Sequence, residues 1–192
     1  VSILLPIRNE GKYISKTVKS LFEQDYPKEM MEIVIADGNS DDNTKDELKK
    51  LKKQYKQIKI VSNPGLSMPK GFNRAYANSS SEFIIMLGGH SAIPKNYISQ
   101  SINNIEKNNA DCSGGVLNTI GDGFWGKIIA STMSSIFGVG NVSFRVKNVK
   151  SGYVNSVPYG CYKRSVFEKL GLLDEELIRN QDDEFNFRII QH

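Results

Sequence analysis

The first 110 residues alternate short apolar runs with segments whose apolar residues recur at helical spacing. The opening run, residues 1–7, ends at polar residues, and Ile14, Val18 and Leu21 then mark one face of a helix over 12–22. The same unit recurs and predicts strands over 32–36, 58–61 and 83–87 and helices that open at Thr44 or span 69–78 and 97–107. This alternation is typical of an α/β fold whose mainly parallel sheet carries helices on both faces.

The polar loops after three of these strands form the predicted ligand site. Ligands of parallel sheets bind outside the carboxyl ends of the strands, where the strand order reverses. The loops that follow Ile7, Ala36 and Leu87 lie at this edge. The second loop, residues 37–43, leads into a helix whose start at 44–47 fits a capping box.

The second half of the chain has a less regular pattern. Residues 121–140 place apolar side chains among small ones, whereas 156–161 predict a strand and 163–170 a helix. No internal repeat, low-complexity tract or linker marks a boundary, so we predict one domain over 1–192. Because the chain begins inside a predicted strand and stops just after a helical pattern, we expect further residues beyond both ends.

Composition and charge argue for an ordinary globular protein that does not bind nucleic acid. Hydrophobic residues make up 39% and charged residues 24% of the chain, which excludes a disordered protein. The net charge is +4, but the densest basic run, 49–56, lies on a predicted helix and contains only one aromatic residue, Tyr55. A solvated helix face explains this run, since a nucleic-acid groove would combine basic and exposed aromatic side chains.

The two cysteines, Cys112 and Cys161, are predicted to be buried free thiols. They have neither CxxC spacing nor a nearby histidine, and free thiols suit a reducing compartment. No apolar run is long enough to span a bilayer, and no signal peptide precedes Val1. We therefore expect a cytoplasmic protein.

Polar residues in the first two loops are candidates for ligand contacts. Asp37 ends a predicted buried strand, and its carboxylate can accept hydrogen bonds from a ribose hydroxyl or a nucleobase imide. An aspartate that bonds the backbone of its own turn is the alternative. Asn9 and Glu10 face the same ligand in one interpretation and cap the following helix in the other.

Two further segments are candidates for binding a diphosphate and a cation. Lys70, Asn73 and Arg74 lie on a short predicted helix, where ordinary surface positions are the alternative. Two glycines at 88–89 and then His90 follow the fourth strand, which places a possible metal ligand at the ligand edge. A lone histidine is more often a hydrogen-bonded structural residue.

Three consecutive acids, residues 182–184, head the last predicted helix. The helix dipole stabilises an acid at this end by about 0.3–1 kcal/mol, so capping is one explanation. One acid would suffice for capping. A carboxylate can also act as the base that removes the proton of a reacting hydroxyl, which makes Asp182 the candidate base.

Taken together, these segments resemble the inverting family-two glycosyltransferases of GT-A fold. The similar residues are Leu-Pro-Ile-Arg-Asn-Glu at 5–10, the strand and loop at 33–44, Asn73, and the acidic segment at 180–188. Within that family the chain is most similar to the succinoglycan-type bacterial glucosyltransferases of exopolysaccharide synthesis, which share the segments 133–135, 138–141, 152–154 and 179–184. The resemblance implies a Rossmann-like, three-layer αβα domain from a bacterium or an archaeon.

The resemblance also implies a nucleotide-sugar half, about residues 1–110, and an acceptor half, about 111–192. Asp37 and Glu10 would hold uridine, and Asp182 would be the catalytic base. The donor-binding residues that it implies are Pro6, Arg8, Glu10, Asp37, Asn39, Lys70, Asn73, Gly88 and Gly89. On the acceptor side it implies Gly160, Gln181 and Asp183.

The implied metal site departs from the family pattern. The family's Asp-x-Asp motif should fall at 88–90, where succinoglycan-type members read Asp-Gly-His and this chain reads Gly-Gly-His. His90 is then the expected ligand of a divalent cation, Mn²⁺ or Mg²⁺, of which an imidazole favours Mn²⁺. The alternatives are weakened activity, cation-independent binding that uses Lys70 or Arg74, and a residue altered at position 88.

The implied reaction transfers a hexose, glucose in first place, from UDP to a saccharide or lipid-linked acceptor in polysaccharide biosynthesis. The alternatives are a catalytically impaired nucleotide-sugar-binding protein and a nucleotidyltransferase of similar fold, although 5–10 lacks the glycine-rich loop of the latter. A lipid-linked acceptor implies the inner face of the plasma membrane, reached through segments outside this chain. Within the chain only 124–129 offers an apolar face, and such a face is more often core.

Overall fold

The computed structural model of the chain describes residues 1–121, 123–133 and 152–192. Among these residues the centre is a six-stranded sheet with the order β3-β2-β1-β4-β6-β5. The strands are β1 (Ser2–Ile7), β2 (Glu32–Asp37), β3 (Ile58–Ser62), β4 (Phe83–Met86), β5 (Cys112–Ser113) and β6 (Cys161–Lys163). Strands β1 to β4 are parallel, and β6 runs antiparallel to both β4 and β5. The predicted mainly parallel sheet is confirmed.

The helices of the described residues connect and cover these strands. They are α1 (Ile14–Phe22), α2 (Thr44–Gln54), α3 (Met68–Ala77), α4 (Tyr97–Asn108), α5 (Gly123–Thr132), α6 (Arg164–Leu170) and α7 (Gln181–Gln191). A short 3₁₀ helix, Lys28–Met30, precedes β2. The first four helices lie within a few residues of their predicted limits.

Alternate residues of the central strands enter two separate cores, because successive side chains of a strand point to opposite faces. Ile3, Ile33 and Ile85 pack with α1, α2 and α4 on one face. Leu4 and Val34 pack with α3, α6 and α7 on the other. All five side chains are 0% exposed, and burial of each stabilises the fold by about 1.5–3 kcal/mol. The three-layer αβα architecture is therefore as expected.

The strand order reverses between β1 and β4, with β2 and β3 on the far side of β1. Ile7 pairs in register with Asp37, so β1 and β2 end at the same level. On the other side the amide of Leu87 donates to the carbonyl of Leu4, 3.0 Å. The carboxyl ends of three strands thus meet at the predicted ligand edge.

The predicted strand over 156–161 is wrong, because β6 begins only at Cys161. Pro158 has no amide hydrogen for a sheet ladder, and Tyr159 has a φ of +51°, outside the extended region. Strand β5 is an addition to the predicted elements, since two residues carry no periodic pattern.

The predicted capping box at the start of α2 is also wrong. Asn43 is the N-cap residue and makes no side-chain capping bond. The Thr44 hydroxyl instead donates to the Asp42 carboxylate and accepts the amide hydrogen of Glu10, 2.8 Å. The hydrogen bonds from Thr44 hold the pKa of Asp42 below its usual range. Thr44 therefore joins two loops at the ligand edge.

Both cysteines are free thiols, as predicted, although Cys112 is only half-buried. Burial raises the pKa of the Cys161 thiol to about 12 and that of the Cys112 thiol to about 11. Both thiols remain protonated at neutral pH, which suits a structural role.

Helix α5 contradicts the interpretation of 124–129 as core. Phe124 and Trp125 are 72% and 73% exposed, and no residue of the helix is buried. Within the three described stretches of the chain, no helix has the length and apolar character needed to cross a membrane. The similar segments at 134–135 and 138–141 lie outside the described residues.

Candidate active site

Side-chain hydrogen bonds lock the loops after β1 and β2 together. The backbone amide of Asn9 donates to the Ser40 hydroxyl, 2.9 Å. The side chain of Asn9 pairs with Asp41, donating to its carboxylate at 2.8 Å and accepting from its amide at 3.0 Å. Asn9 has a φ of +57°, a conformation that asparagine tolerates. The two loops therefore form one fixed wall of the ligand edge.

Asp37 lies at the end of β2 and is 8% exposed. The hydroxyl of Ser40 donates to its Oδ1 atom at 2.5 Å, and the Ser40 amide does so at 3.3 Å. One of the two carboxylate oxygens of Asp37 is thus used within its own turn, as in the alternative interpretation. No residue in the described part of the chain donates to Oδ2, which can accept a hydrogen bond from a ligand.

Glu10 and His90 are in direct contact, although Glu10 was expected to hold uridine and His90 to bind a metal. Oε1 of Glu10 lies 2.7 Å from Nδ1 of His90. The side chain of Glu10 is 15% exposed and that of His90 59%. Because the carboxylate accepts the Nδ1 hydrogen, a neutral ring keeps its lone pair on Nε2, the nitrogen that remains for a ligand.

The fit of these residues to a divalent cation rests on His90. No group of three or more His, Cys, Asp or Glu side chains that could hold a metal ion occurs among the described residues. A ligating histidine commonly donates its other ring hydrogen to a carboxylate, as His90 does to Glu10. Among the described residues, the ligand edge therefore offers one candidate ligand for a cation, Nε2 of His90, and no preformed metal site.

Gly89 allows the loop after β4 to approach the loop after β1. A Cβ at position 89 would lie 2.6 Å from Cγ of Glu10 and 2.9 Å from Cγ2 of Ile7, closer than real Cβ contacts. The hydroxyl of Thr17 on α1 donates to the Gly89 carbonyl at 2.8 Å. Gly89 thus fixes the loop that carries His90.

Position 88 faces two hydroxyl groups. A Cβ at Gly88 would lie 3.3 Å from Oγ of Ser91 and 3.4 Å from the hydroxyl oxygen of Tyr159. A side chain fits there after small shifts. Sequence reasoning missed Tyr159, since no motif marks it. The pairing of β6 with β4 brings it here, with the Met86 amide donating to the Gly160 carbonyl at 3.2 Å.

Three other candidates, one at the end of β1 and two in the loops after β1 and β2, lie near the same edge. Pro6 packs beneath α3, where a Cβ at Gly71 would lie 2.9 Å from Cβ of Pro6. Arg8 is exposed, and its Cβ lies 3.3 Å from the position of a Cβ at Gly38. Asn39 is exposed with a φ of +52°. Arg8 and Asn39 are therefore accessible to a ligand, and Pro6 shapes the support below it.

The candidates on α3 differ in their surroundings. The stem of Lys70 lies against Gly65, with Cδ 2.3 Å from the position of a Cβ there. The side chain of Asn73 instead binds the loop before α7. Its amide donates to the Leu173 carbonyl at 2.9 Å, and its oxygen accepts the Leu173 amide hydrogen at 3.2 Å. The structure thus gives the Asn73 side chain a structural use.

The first turn of α7 is tied to the segment that precedes β6. The hydroxyl of Ser156 donates to the Asp183 carboxylate at 2.6 Å. The side-chain amide of Asn186 donates to the Asp182 carbonyl at 2.8 Å and to the Val157 carbonyl at 3.5 Å. The acidic helix is therefore joined to the segment that carries Tyr159 and Gly160 to the ligand edge.

The neighbours of Asp182 have defined partners. Glu184 forms an ion pair with Arg188, 2.7 Å, whose guanidinium also binds two backbone carbonyls. Gln181 is 5% exposed and donates to the Leu177 carbonyl at 3.0 Å. Asp182 itself is half-buried. The three acids therefore occupy three different environments, which capping alone does not require.

A cleft of about 630 Å³ lies between the end of α4 and α7. Its walls are the end of α4, the residues after β5, residues 152–158 and one face of α7. Asn104, Asn155 and Asn186 supply amide groups, and Tyr153 supplies an exposed ring. Ser156, the partner of Asp183, lines the same cleft.

Comparison with protein families matches one family, described as Glycosyl transferase family 2, to residues 2–171. A Methanococcus voltae protein named dolichyl N-acetyl-alpha-D-glucosaminyl phosphate 3-beta-D-2,3-diacetamido-2,3-dideoxy-beta-D-glucuronosyltransferase is 32% identical over 199 residues, 100% of this chain and 61% of that protein. The succinoglycan biosynthesis protein ExoA of Rhizobium meliloti is 24% identical over 189 residues, 97% of this chain and 57% of that protein. The chain spans about three fifths of the length of these relatives.

Solved structures share the fold. Residues 1–349 of S. aureus TarS in complex with UDP superpose with a TM-score of 0.70 at 22% identity, over 96% of this chain and 53% of that chain. The mannosyltransferase PcManGT from Pyrobaculum calidifontis in complex with GDP-Man and Mn²⁺ gives a TM-score of 0.73 at 16% identity, over 96% and 50%. These likenesses confirm the GT-A architecture.

Proposed function

Because this chain belongs to glycosyl transferase family 2, we propose that it transfers a hexose, glucose in first place, from UDP to a hydroxyl of a saccharide or lipid-linked saccharide, with inversion. The observation that carries the proposal is the meeting of Asp37 and the Glu10–His90 pair where β1, β2 and β4 end. The M. voltae relative is named for transfer onto a dolichyl-linked sugar phosphate, and the S. aureus neighbour binds UDP. Both support this donor and acceptor class.

The donor lies across the ligand edge in this proposal. Oδ2 of Asp37 accepts a hydrogen bond from the uracil imide or a ribose hydroxyl. The exposed guanidinium of Arg8 and the ammonium of Lys70 balance the charge of the diphosphate. The Asp37 carboxylate thus meets the uncharged nucleoside of the donor, and the two basic side chains meet its anionic diphosphate.

The acceptor enters along the cleft beside α7. Asp182 removes the proton of the acceptor hydroxyl as its oxygen bonds the anomeric carbon. The bond between that carbon and the diphosphate oxygen breaks on the opposite face, so an α-linked donor gives a β-linked product. The hydrogen bonds of Asn186 to the Asp182 backbone and of Ser156 to Asp183 hold this turn in place.

A divalent cation has one protein ligand in this proposal, Nε2 of His90, oriented by Glu10. When bound, it neutralises charge on the leaving diphosphate. Since a lipid-linked acceptor lies at a membrane, we place the reaction at the cytoplasmic face of the plasma membrane. The exposed apolar side chains of α5 support contact with that surface.

Calorimetric titration of UDP and UDP-glucose tests the donor site. We expect binding that weakens by about 10–100-fold in Asp37→Ala, the range for a lost hydrogen bond to a charged group. Asp46→Ala is the matched control, because Asp46 lies exposed on α2 and pairs with Lys49. Titrations with and without Mn²⁺ assess the role of His90. Wild-type protein that binds neither nucleotide would contradict the proposal.

A second candidate is a nucleotide-sugar-binding protein with impaired catalysis, which Gly88 favours because it removes a carboxylate from the cation site. Incubation of the full-length protein with UDP-glucose and an extract of lipid-linked saccharides separates the two. Release of UDP that depends on Asp182 supports the transferase. Tight UDP binding without release in any condition supports the second candidate.

A further inference from the structure

Two hydroxyl groups at the ligand edge have no hydrogen-bond partner among the described residues. The oxygens of Tyr159 and Ser91 lie 3.4 and 3.3 Å from where a side chain at Gly88 would begin. Among residues 1–121, 123–133 and 152–192, neither side-chain oxygen makes a hydrogen bond. The ring of Tyr159 is partly buried against the core, whereas its hydroxyl is not buried and is open to a ligand.

The backbone holds Tyr159 in a conformation that needs support. Its φ is +51°, a left-handed value that costs a bulky residue about 1–3 kcal/mol. The hydroxyl of Tyr97 donates to the Tyr159 carbonyl at 2.5 Å. The next carbonyl, that of Gly160, accepts the Met86 amide hydrogen at 3.2 Å. These two bonds anchor the Tyr159 hydroxyl above position 88.

The order of residues along the edge indicates which part of a nucleotide these hydroxyls reach. Asp37 ends β2, whereas Gly88 follows β4, with β1 between them. Two strand spacings amount to about 10 Å, comparable with the distance from a nucleobase to the phosphates of a nucleoside diphosphate. His90, whose Nε2 is available to a cation, lies two residues from Gly88. The hydroxyls therefore lie at the phosphate end.

We infer that the hydroxyls of Tyr159 and Ser91 donate hydrogen bonds to the diphosphate of the donor, across the space that Gly88 leaves open. The inference rests on the proposed function and adds two donor-binding residues to it. A hydroxyl donates to a phosphate oxygen without a cation between them, whereas a carboxylate at position 88 would repel the diphosphate unless a cation joined the two. The pair thus lessens the need for a bound cation.

Affinities of UDP and of uridine for wild-type protein and Tyr159→Phe test this inference. The variant keeps the ring and removes only the hydroxyl, so we expect UDP to bind about tenfold more weakly and uridine to bind unchanged. Tyr26→Phe is the matched control. Tyr26 is a partly buried tyrosine packed on the same core, but it precedes β2 and so lies at the opposite edge of the sheet.

Ser91→Ala is a second variant, which leaves the packing of the Tyr159 ring unchanged. It should weaken UDP binding several-fold and leave uridine binding unchanged. UDP affinity that is unchanged in both variants overturns the inference and leaves the proposed function intact. Equal weakening of UDP and uridine also overturns it, since the contact would then lie at the nucleoside. Wild-type protein that binds no UDP instead removes the proposed function on which the inference rests.

Discussion

Glycine occupies the neighbouring positions 88 and 89 of the ligand edge for different physical reasons. At position 89 any side chain would collide with Glu10 and Ile7, so glycine is required by the close approach of two loops. At position 88 the nearest atoms are hydroxyl oxygens at 3.3 and 3.4 Å, so glycine is permitted but not required. Packing therefore requires glycine at position 89 but not at position 88.

Alanine at each position should separate these two reasons. We expect Gly89→Ala to lower the free energy of unfolding by about 1–3 kcal/mol, the usual range for overpacking. Gly88→Ala should lower it by less than about 1 kcal/mol, since its neighbours can shift. Urea denaturation followed by circular dichroism measures both. Equal losses in the two variants would refute the distinction.

Gly88→Asp should make UDP binding dependent on a cation. The new carboxylate would add a ligand two residues from His90, and without a cation it would repel the diphosphate. We expect UDP affinity to fall about tenfold without Mn²⁺ and to exceed the wild-type affinity with it. Gly88→Asn has a similar size without the charge and is the control. Identical Mn²⁺ responses in both variants would speak against a cation near His90.

Strand β2 joins two polar clusters, one at each end. Its carboxyl end carries Asp37, and its amino end carries Glu32, which sequence reasoning passed over. The Glu32 carboxylate accepts from the Ser2 hydroxyl and the Ser80 amide, each at 2.6 Å, and from Lys59 at 2.8 Å. These bonds tie the amino ends of β1 and β3 and the segment before β4 to β2. The amino end of the strand thus joins neighbouring elements, and the carboxyl end carries the proposed donor contact.

The Glu32 cluster predicts an acid-sensitive part of the stability. Burial alone would raise the pKa of Glu32, but the bonds from Lys59, Ser2 and Ser80 outweigh it and lower the pKa from 4.5 to about 2. A lowered pKa in the folded state means that the contribution is complete above pH 4.5 and is lost as the pH falls towards 2. Glu32→Gln should lower the free energy of unfolding by about 1–2 kcal/mol at pH 7, with the difference from wild type shrinking below pH 4.5. Urea denaturation between pH 2.5 and 7 measures this, and a pH-independent difference would contradict it.

Asn73 joins helix α3 to the loop before α7. Its side chain bonds both backbone groups of Leu173 and the carboxylate of Glu175. We expect Asn73→Ala to lower the free energy of unfolding by about 1–3 kcal/mol, because the Leu173 groups lose their partner. Because these bonds already use the amide, UDP affinity should be unchanged in calorimetry. Weakened UDP binding at unchanged stability would instead restore Asn73 to the donor site.

At the scale of the whole molecule, the sequence predicted the mainly parallel sheet because the periodicity of apolar residues is a local property. Asp37 and Glu10 were assigned to its carboxyl edge because each stands at or just after the end of a predicted strand. The contact of Glu10 with His90 joins residues 80 positions apart, and no pattern marks it. The approach of Tyr159 to Gly88 depends on β6, whose start the alternating pattern placed five residues too early. Contacts set by long-range packing were therefore the part that the sequence could not supply.

If the proposed donor and acceptor halves are correct, a change at Asp182 should affect transfer of the sugar without affecting UDP affinity. The proposed donor contacts lie on the loops after β1, β2 and β4, whereas Asp182 belongs to α7. The bonds of Ser156 to Asp183 and of Asn186 to Val157 join α7 to the segment before β6. Asp182→Asn keeps the size of the side chain and removes its basicity, so transfer by the full-length protein should fall at least about 100-fold while UDP affinity stays unchanged. Asp183→Asn, which can still accept from Ser156, should retain most of the activity. Measured initial rates and UDP affinities that fall together in Asp182→Asn would place this carboxylate in the donor site and leave the base to be found elsewhere on the acceptor side.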